Sequence, residues 1–198
     1  MERRSRFEGG VIHLTGGDMT AGHAQGFSPA ARAFHWITAA LVLTTLPIGI
    51  TMVNVPNLGP MGDTLFHLHR SIGVTVLAIV VFRLIYRLRH PAPPLPAEMP
   101  AWQQLAAHAT HWGLYALLIV QPILGWIATS AYRAPVLYFW MFELPPIWKE
   151  DRAFSEALFK IHMDFGILIL ALVCVHVAAA LYHHIVLKDR VLTGMVSG

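Results

Sequence analysis

Residues 161–187, IHMDFGILILALVCVHVAAALYHHIVL, decide the fold. From Phe165 to Leu187 this stretch runs 23 residues without an Asp, Glu, Lys or Arg. About 20 such residues cross the hydrocarbon of a bilayer as a helix. Two histidines, His162 and His176, lie 14 residues apart in it. Fourteen steps of about 100° leave their side chains within roughly 40° of one another in azimuth and about 21 Å apart along the axis. One helix therefore presents two imidazoles on one face, one towards each side of a membrane. The rest of the chain is organised by what faces them.

The whole chain agrees with a membrane location. Of its 198 residues, 56% are hydrophobic and 13% charged, with a mean hydropathy of +0.55. A soluble domain carries about 25% charged residues. The net charge of +3 is too small to suggest nucleic acid as a partner, and is informative only through its placement in loops. The single cysteine, Cys174, lies inside the apolar stretch, which excludes a disulfide framework and a CxxCH attachment of covalent haem. Paired carboxylates, a nucleophile elbow and a phosphate loop are all missing from the sequence. Histidine is abundant, with twelve copies, several inside apolar runs. Ionisable groups at membrane depth are costly and mark function by default.

Taken in order, residues 1–28 are polar, rich in glycine and carry Arg3, Arg4 and Arg6. No apolar core follows those arginines, so this is not a secretory signal. It reads as a mobile cytoplasmic tail with His13 and His23 solvated. Four spans are expected at about 34–53, 65–88, 103–131 and 158–187, forming one transmembrane domain over 29–190 before a short tail at 191–198. The predicted class is all-α, an integral membrane four-helix bundle. Pro122 is expected to bend the third span. Arg70 and Arg83 flank the short uncharged centre of the second and can snorkel. The connector RLRHPAPPLPAEMP at 87–100 is basic, then extended by its prolines. Residues 132–155 read as the longest loop, with Trp140, Trp148, Glu143, Glu150 and Asp151. Basic residues crowd both tails and the 87–89 connector, while the 54–64 loop has none. The positive-inside rule then puts both termini in the cytoplasm.

Depth follows from this order. His35 opens the first span at the cytoplasmic side, and His69 lies one turn in from the outer start of the second. His162 falls in the outer leaflet and His176 towards the cytoplasm. Two pairs match, His35 with His176 and His69 with His162, as a haem iron held by two imidazoles from facing helices requires. A small residue lies one turn after each: Ala39, Gly73, Gly166 and Ala180. Such gaps suit a porphyrin plane beside a helix. A lone histidine in an apolar helix is more often a polar group satisfied by a neighbouring helix, but four that pair by depth favour ligation. Zinc is the rival metal, although it prefers tetrahedral sets that include Cys or carboxylate. His67, about 200° around from His69, faces elsewhere. His108 and His111 share a face near the cytoplasmic start of the third span, where they either bond haem propionates or a quinone headgroup or simply pack. Arg32 and Arg70 either neutralise a propionate or anchor the helices at the membrane surface. His183 and His184 suit the helix dipole at the last turn. Glu156 and Asp164 either relay protons or cap the fourth helix, and capping is the simpler reading.

The segments ARAFHW (31–36), LHRSIG (68–73), AHATHWGLY (107–115), KIHM (160–163) and CVHVAAALYHH (174–184) occur in an order and spacing that resembles the bacterial cytochrome b561 family. The likeness covers about Ser28 to Arg190. It implies a multi-pass protein of the bacterial inner membrane with two haem b groups, ligated at the positions of His35, His69, His162 and His176. It further implies electron transfer between the quinone pool and a second soluble or membrane redox partner. Some members oxidise superoxide at the outer face and reduce ubiquinone, so a quinone-linked oxidoreductase is the enzymatic expectation. Most members carry Lys where Arg70 stands, and the charge is kept. Related cytochrome b subunits anchor hydrogenases and formate dehydrogenases, leaving a haem-b anchor for a peripheral oxidoreductase as the alternative. The lack of apolar sequence for a fifth span favours the stand-alone type. A histidine-lined transporter or metal-binding protein without haem is a third reading.

Overall fold

A serine followed by a proline opens the first span. The Ser28 hydroxyl accepts a hydrogen bond from the Ala31 amide (3.2 Å), and Pro29 at the first helical position lacks the N–H that would otherwise be unpaired. In the computed structural model, which describes residues 26–95 and 99–197, this helix, α1, runs Pro29–Asn54. The expectation of a mobile tail with His13 and His23 falls, but for three residues, outside that range. Helix α2, Pro60–Arg89, again opens on a proline, and Arg87 and Arg89 in its last turn complement the helix dipole. Helix α3 runs Ala101–Tyr132 and α4 Arg152–Tyr182. Both α1 and α3 continue as helix past their internal prolines, Pro47 and Pro122. The cap of α4 is Asp151, whose carboxylate accepts from the Phe154 amide (3.0 Å), so Glu156 and Asp164, expected as caps, lie within the helix instead. A wider π-helical turn, His183–Leu187, continues α4 until Lys188 leaves it in the left-handed conformation. A short helix α5, Val191–Val196, follows.

The four long helices have mean hydropathies of 1.8, 1.9, 1.6 and 2.5 over their best windows, long and apolar enough to cross a membrane. The chain is an all-α four-helix membrane protein. Its buried core is small: Val42 of α1, Ile72, Val76 and Val80 of α2, and Ile169 of α4, with Leu117 and Leu118 of α3 packed against them. Leu43, Phe82, Leu105, Ile167 and Val175 stay exposed. An apolar outer surface is what lipid requires. Packing follows chain order, α1 on α2, α2 on α3 and α3 on α4, while α1 and α4 make no extensive contact. At the end carrying the termini, α5 folds back on α1: the Trp36 indole donates to the Met195 carbonyl (3.0 Å) and Arg32 to the Val196 carbonyl (3.4 Å).

At the opposite end, the segment expected to be plain loop contains a two-stranded hairpin, β1 Val136–Tyr138 and β2 Phe142–Leu144, antiparallel with Leu137 opposite Glu143. Its turn places Phe139 (φ 44°) and Trp140 (φ 60°) in the left-handed region, where Asn-Gly would be the usual signal. Ser71 of α2 holds it. The fully buried hydroxyl accepts from the Phe139 amide (2.8 Å) and lies 3.1 Å from the Leu137 carbonyl. Arg70 donates to the Pro135 carbonyl (3.0 Å), and Thr75 pairs with the Tyr138 hydroxyl (3.1 Å). Removing one partner of a buried amide costs about 1–3 kcal/mol. Ser71→Ala is therefore expected to lower the unfolding temperature in detergent and to expose residues 136–144 to limited proteolysis. An unchanged cleavage pattern would show that the hairpin does not depend on Ser71.

Candidate functional site

The 14-residue spacing on α4 puts His162 at the hairpin end and His176 at the termini end. The structure brings a second imidazole to each. His69 of α2 faces His162 with ring centres 6.0 Å apart, and His35 of α1 faces His176 at 6.1 Å. Depth in the helices sets these partners, because adjacent helices run in opposite directions and each histidine lies near the matching end of its own.

At the hairpin end the rings are held by backbone. His69 Nδ1 lies 3.2 Å from the Thr45 carbonyl and 3.2 Å from the Thr45 hydroxyl on α1. His162 Nδ1 lies 3.1 Å from the Gln121 carbonyl on α3, and the Gln121 amide returns a bond to the His162 carbonyl (2.7 Å). A carbonyl can only accept, so each Nδ1 carries the proton and the neutral ring leaves Nε2 with its lone pair. Both rings line one cavity with Val42, Leu46, Gly73 and Val76. Gly73 has open space where a Cβ would stand, as a gap beside His69 requires; Gly166 instead rests against the Gln121 side chain, 3.5 Å from that position.

The termini end is arranged differently. Arg83 Nη2 lies 3.1 Å from His35 Nδ1, and its guanidinium sits over the Tyr115 ring at 5.3 Å. Arg83 was expected only as a snorkelling flank; here it turns inward. His111 of α3 comes within 5.3 Å of His176, so three imidazoles meet there. His108, one turn earlier, is exposed. Arg32 and Arg70 point to backbone carbonyls of the C-terminal turn and the hairpin rather than into either pair. His67 packs its ring against Trp140 (5.8 Å) with Nδ1 buried and unpaired among the described residues, and His183 pairs with Asp189.

Comparison with known proteins settles the family. The sequence profile of the family described as prokaryotic cytochrome b561 matches residues 26–198. The chain belongs to the prokaryotic cytochrome b561 family. It is 31% identical to cytochrome b561 homolog 2 of Escherichia coli K12 over 84% of this chain and 88% of that protein. Identity to cytochrome b561 homolog 1 of the same organism is 29% over 86% and 96%, and to the "Probable superoxide oxidase CybB" of Yersinia pestis 28% over 82% and 90%. Membership makes this a bacterial membrane protein that binds b-type haem and carries electrons across the bilayer.

The residues present fit that cofactor. Two imidazoles bound to opposite sides of one metal at about 2.0 Å per bond have ring centres about 6 Å apart. Both pairs have that separation. Among the described residues no group of three or more His, Cys, Asp or Glu gathers as a cluster for a metal ion held by side chains alone. Each pair offers two nitrogen donors, a set that suits an iron already held by a macrocycle.

Arg83→Met is expected to shift the reduced visible bands of the purified cytochrome, because the guanidinium touches His35. Arg32→Met should leave the spectrum unaltered and speed carboxypeptidase trimming of residues 191–197. Identical spectra for both variants would contradict the contrast.

Proposed function

We propose that the chain passes electrons across the bacterial inner membrane through two b haems, between the quinone pool and a second redox partner. His69 and His162 hold one haem, and His35 and His176 the other. The observation that carries this reading is the repetition of one motif, a facing imidazole pair at 6.0 and 6.1 Å, at both ends of one bundle. When bound, each haem supplies a one-electron carrier whose iron alternates between ferric and ferrous states.

The protein's residues do the rest. Helix α4 spaces the two sites by about 21 Å, the rise of fourteen helical residues. Val42, Val76 and Ile169 give the His69 and His162 site an apolar wall. Arg87, Arg89, Lys188 and Arg190 lie at the termini end, while the connection between α1 and α2 has no basic residue, so the termini end faces the cytoplasm and the hairpin the outer side. His111, beside His176, offers a hydrogen bond to a quinone headgroup or a haem propionate, and Arg83 a counter-charge for the latter. In the finer reading, which the Yersinia relative's name supports, superoxide is the donor. Two superoxide anions each give up one electron and leave as dioxygen, and ubiquinone takes those two electrons with two protons to become ubiquinol. The chain is then a superoxide:quinone oxidoreductase.

A pyridine haemochrome assay should return two b haems per chain. His69→Ala and His162→Ala should each remove the same haem, distinguished by its reduced band and midpoint potential, and His35→Ala and His176→Ala the other. One haem in the parent protein, or loss of different haems within a pair, would overturn the assignment.

The donor is tested separately. Protein in liposomes containing ubiquinone should reduce its haems on exposure to superoxide and form ubiquinol at half the rate of superoxide loss. Reduction only in the presence of a co-purifying soluble subunit would favour the anchor role instead.

A further inference from the structure

The two rings at the hairpin end are seated in the same way on two different helices. His69 meets the carbonyl of Thr45, and His162 that of Gln121. Four residues further along each of those helices stands a glycine, Gly49 on α1 and Gly125 on α3. In an α-helix the Cα–Cβ bond tilts towards the N-terminus, so the side chain at one position overhangs the carbonyl of the residue four before it. A Cβ at Gly49 would stand 2.9 Å from His69 Cε1 and 3.2 Å from Nδ1, and one at Gly125 would stand 3.0 Å from His162 Cε1 and 3.3 Å from Nδ1. A Cβ at Gly49 would force the His69 ring to shift, and one at Gly125 would press on the Cε1–Nδ1 edge by which His162 meets its carbonyl.

We propose that Gly49 and Gly125 are positioning residues that uncover the Thr45 and Gln121 carbonyls, so that His69 and His162 are held as Nδ1–H donors with Nε2 free to ligate. The inference rests on the reading of those two histidines as axial ligands. The two notches are related by role rather than by sequence: α1 supplies one to a ligand on α2, and α3 supplies the other to a ligand on α4. A carbonyl accepting from Nδ1–H makes an imidazole a more basic ligand. More basic axial ligands favour the ferric over the ferrous state, so the notches hold the potential of this haem down. The termini end has no counterpart, since His35 Nδ1 faces the donor Arg83.

The test is Gly49→Ala and Gly125→Ala in the full-length haem-loaded protein, with Gly113→Ala as control. A Cβ at Gly113 would make only an ordinary contact with Leu172 at 3.5 Å. Haem content, the midpoint potential of each haem and the low-temperature EPR signal of each ferric centre are read together. Both site variants should raise the potential of one and the same haem, the one that His69→Ala removes. Outer-shell losses of this kind act by about tenfold or more, which in the ferric–ferrous equilibrium is about 59 mV for one electron. The other haem and the Gly113→Ala protein should be unchanged. Gly125→Ala asks its neighbour to give by less than Gly49→Ala, so it remains informative if the tighter site loses its haem; selective loss of that same haem also supports the proposal. Unchanged potentials, or equal shifts in both haems, would overturn it. If His69→Ala leaves both haems in place, the ligand assignment fails instead, and the glycine variants report that separately.

Discussion

Each imidazole at membrane depth has two ring nitrogens, and hydrocarbon offers neither of them a partner. At the hairpin end of this cytochrome the first nitrogen is satisfied by the fold itself. His69 and His162 turn Nδ1 onto carbonyls of α1 and α3, and both rings line one cavity. Backbone carbonyls within a helix cannot rotate away, so the orientation of both rings is as rigid as the helices. A bundle that positions its histidines in this manner fixes their tautomer, with the proton on Nδ1 and the lone pair on Nε2.

Helix α4 ties the two ends together. Its two histidines share a face because fourteen residues is close to a whole number of turns, and that face looks across at α1 and α2 rather than only at its packing neighbour α3. Since α1 and α4 make no extensive contact, the histidine pairs are drawn together across a seam in the bundle. The packed core residues Val42, Val76 and Ile169 also line the cavity at the hairpin-end pair.

Three of the apolar helices were readable from charge-free length, and the second from a short uncharged centre with arginines that can snorkel; with the family motifs they account for the architecture and for b-type haem. The hairpin was not. Its strands are three residues each, too short for alternation to register, and its turn is built on Phe139 and Trp140 where Gly or Asn would have signalled it. Asp151 went unrecognised as the cap of α4 because the apolar run starts well after the helix does; the first turns of α4 are amphipathic and rest on α3 through Ser155 and the Ala128 carbonyl (2.8 Å). Gly73 beside His69 could be singled out because it follows its histidine on one helix. Gly49 and Gly125 could not, since the rings they accommodate belong to other helices, and only a register between helices reveals them. The faint trace they leave is a proline shortly before each, Pro47 and Pro122, at the same end of the bundle.

The termini end solves the same problem with side chains. Arg83 is a donor with no acceptor capacity, so a neutral His35 facing it must accept at Nδ1 and carry its proton on Nε2. That is the opposite tautomer to the one at His69 and His162. A neutral His35 with Nε2 free would need its proton moved to Nδ1 and Arg83 turned away, and an anion beside the guanidinium would be a better partner for it than an imidazole nitrogen. His111, 5.3 Å from His176, adds a third imidazole at this end. One end of the bundle is thus set by backbone and is insensitive to its surroundings. The other is set by the Arg83 side chain beside a third imidazole. The two pairs thus share one separation but not one mode of support, backbone carbonyls at the hairpin end and a guanidinium at the other.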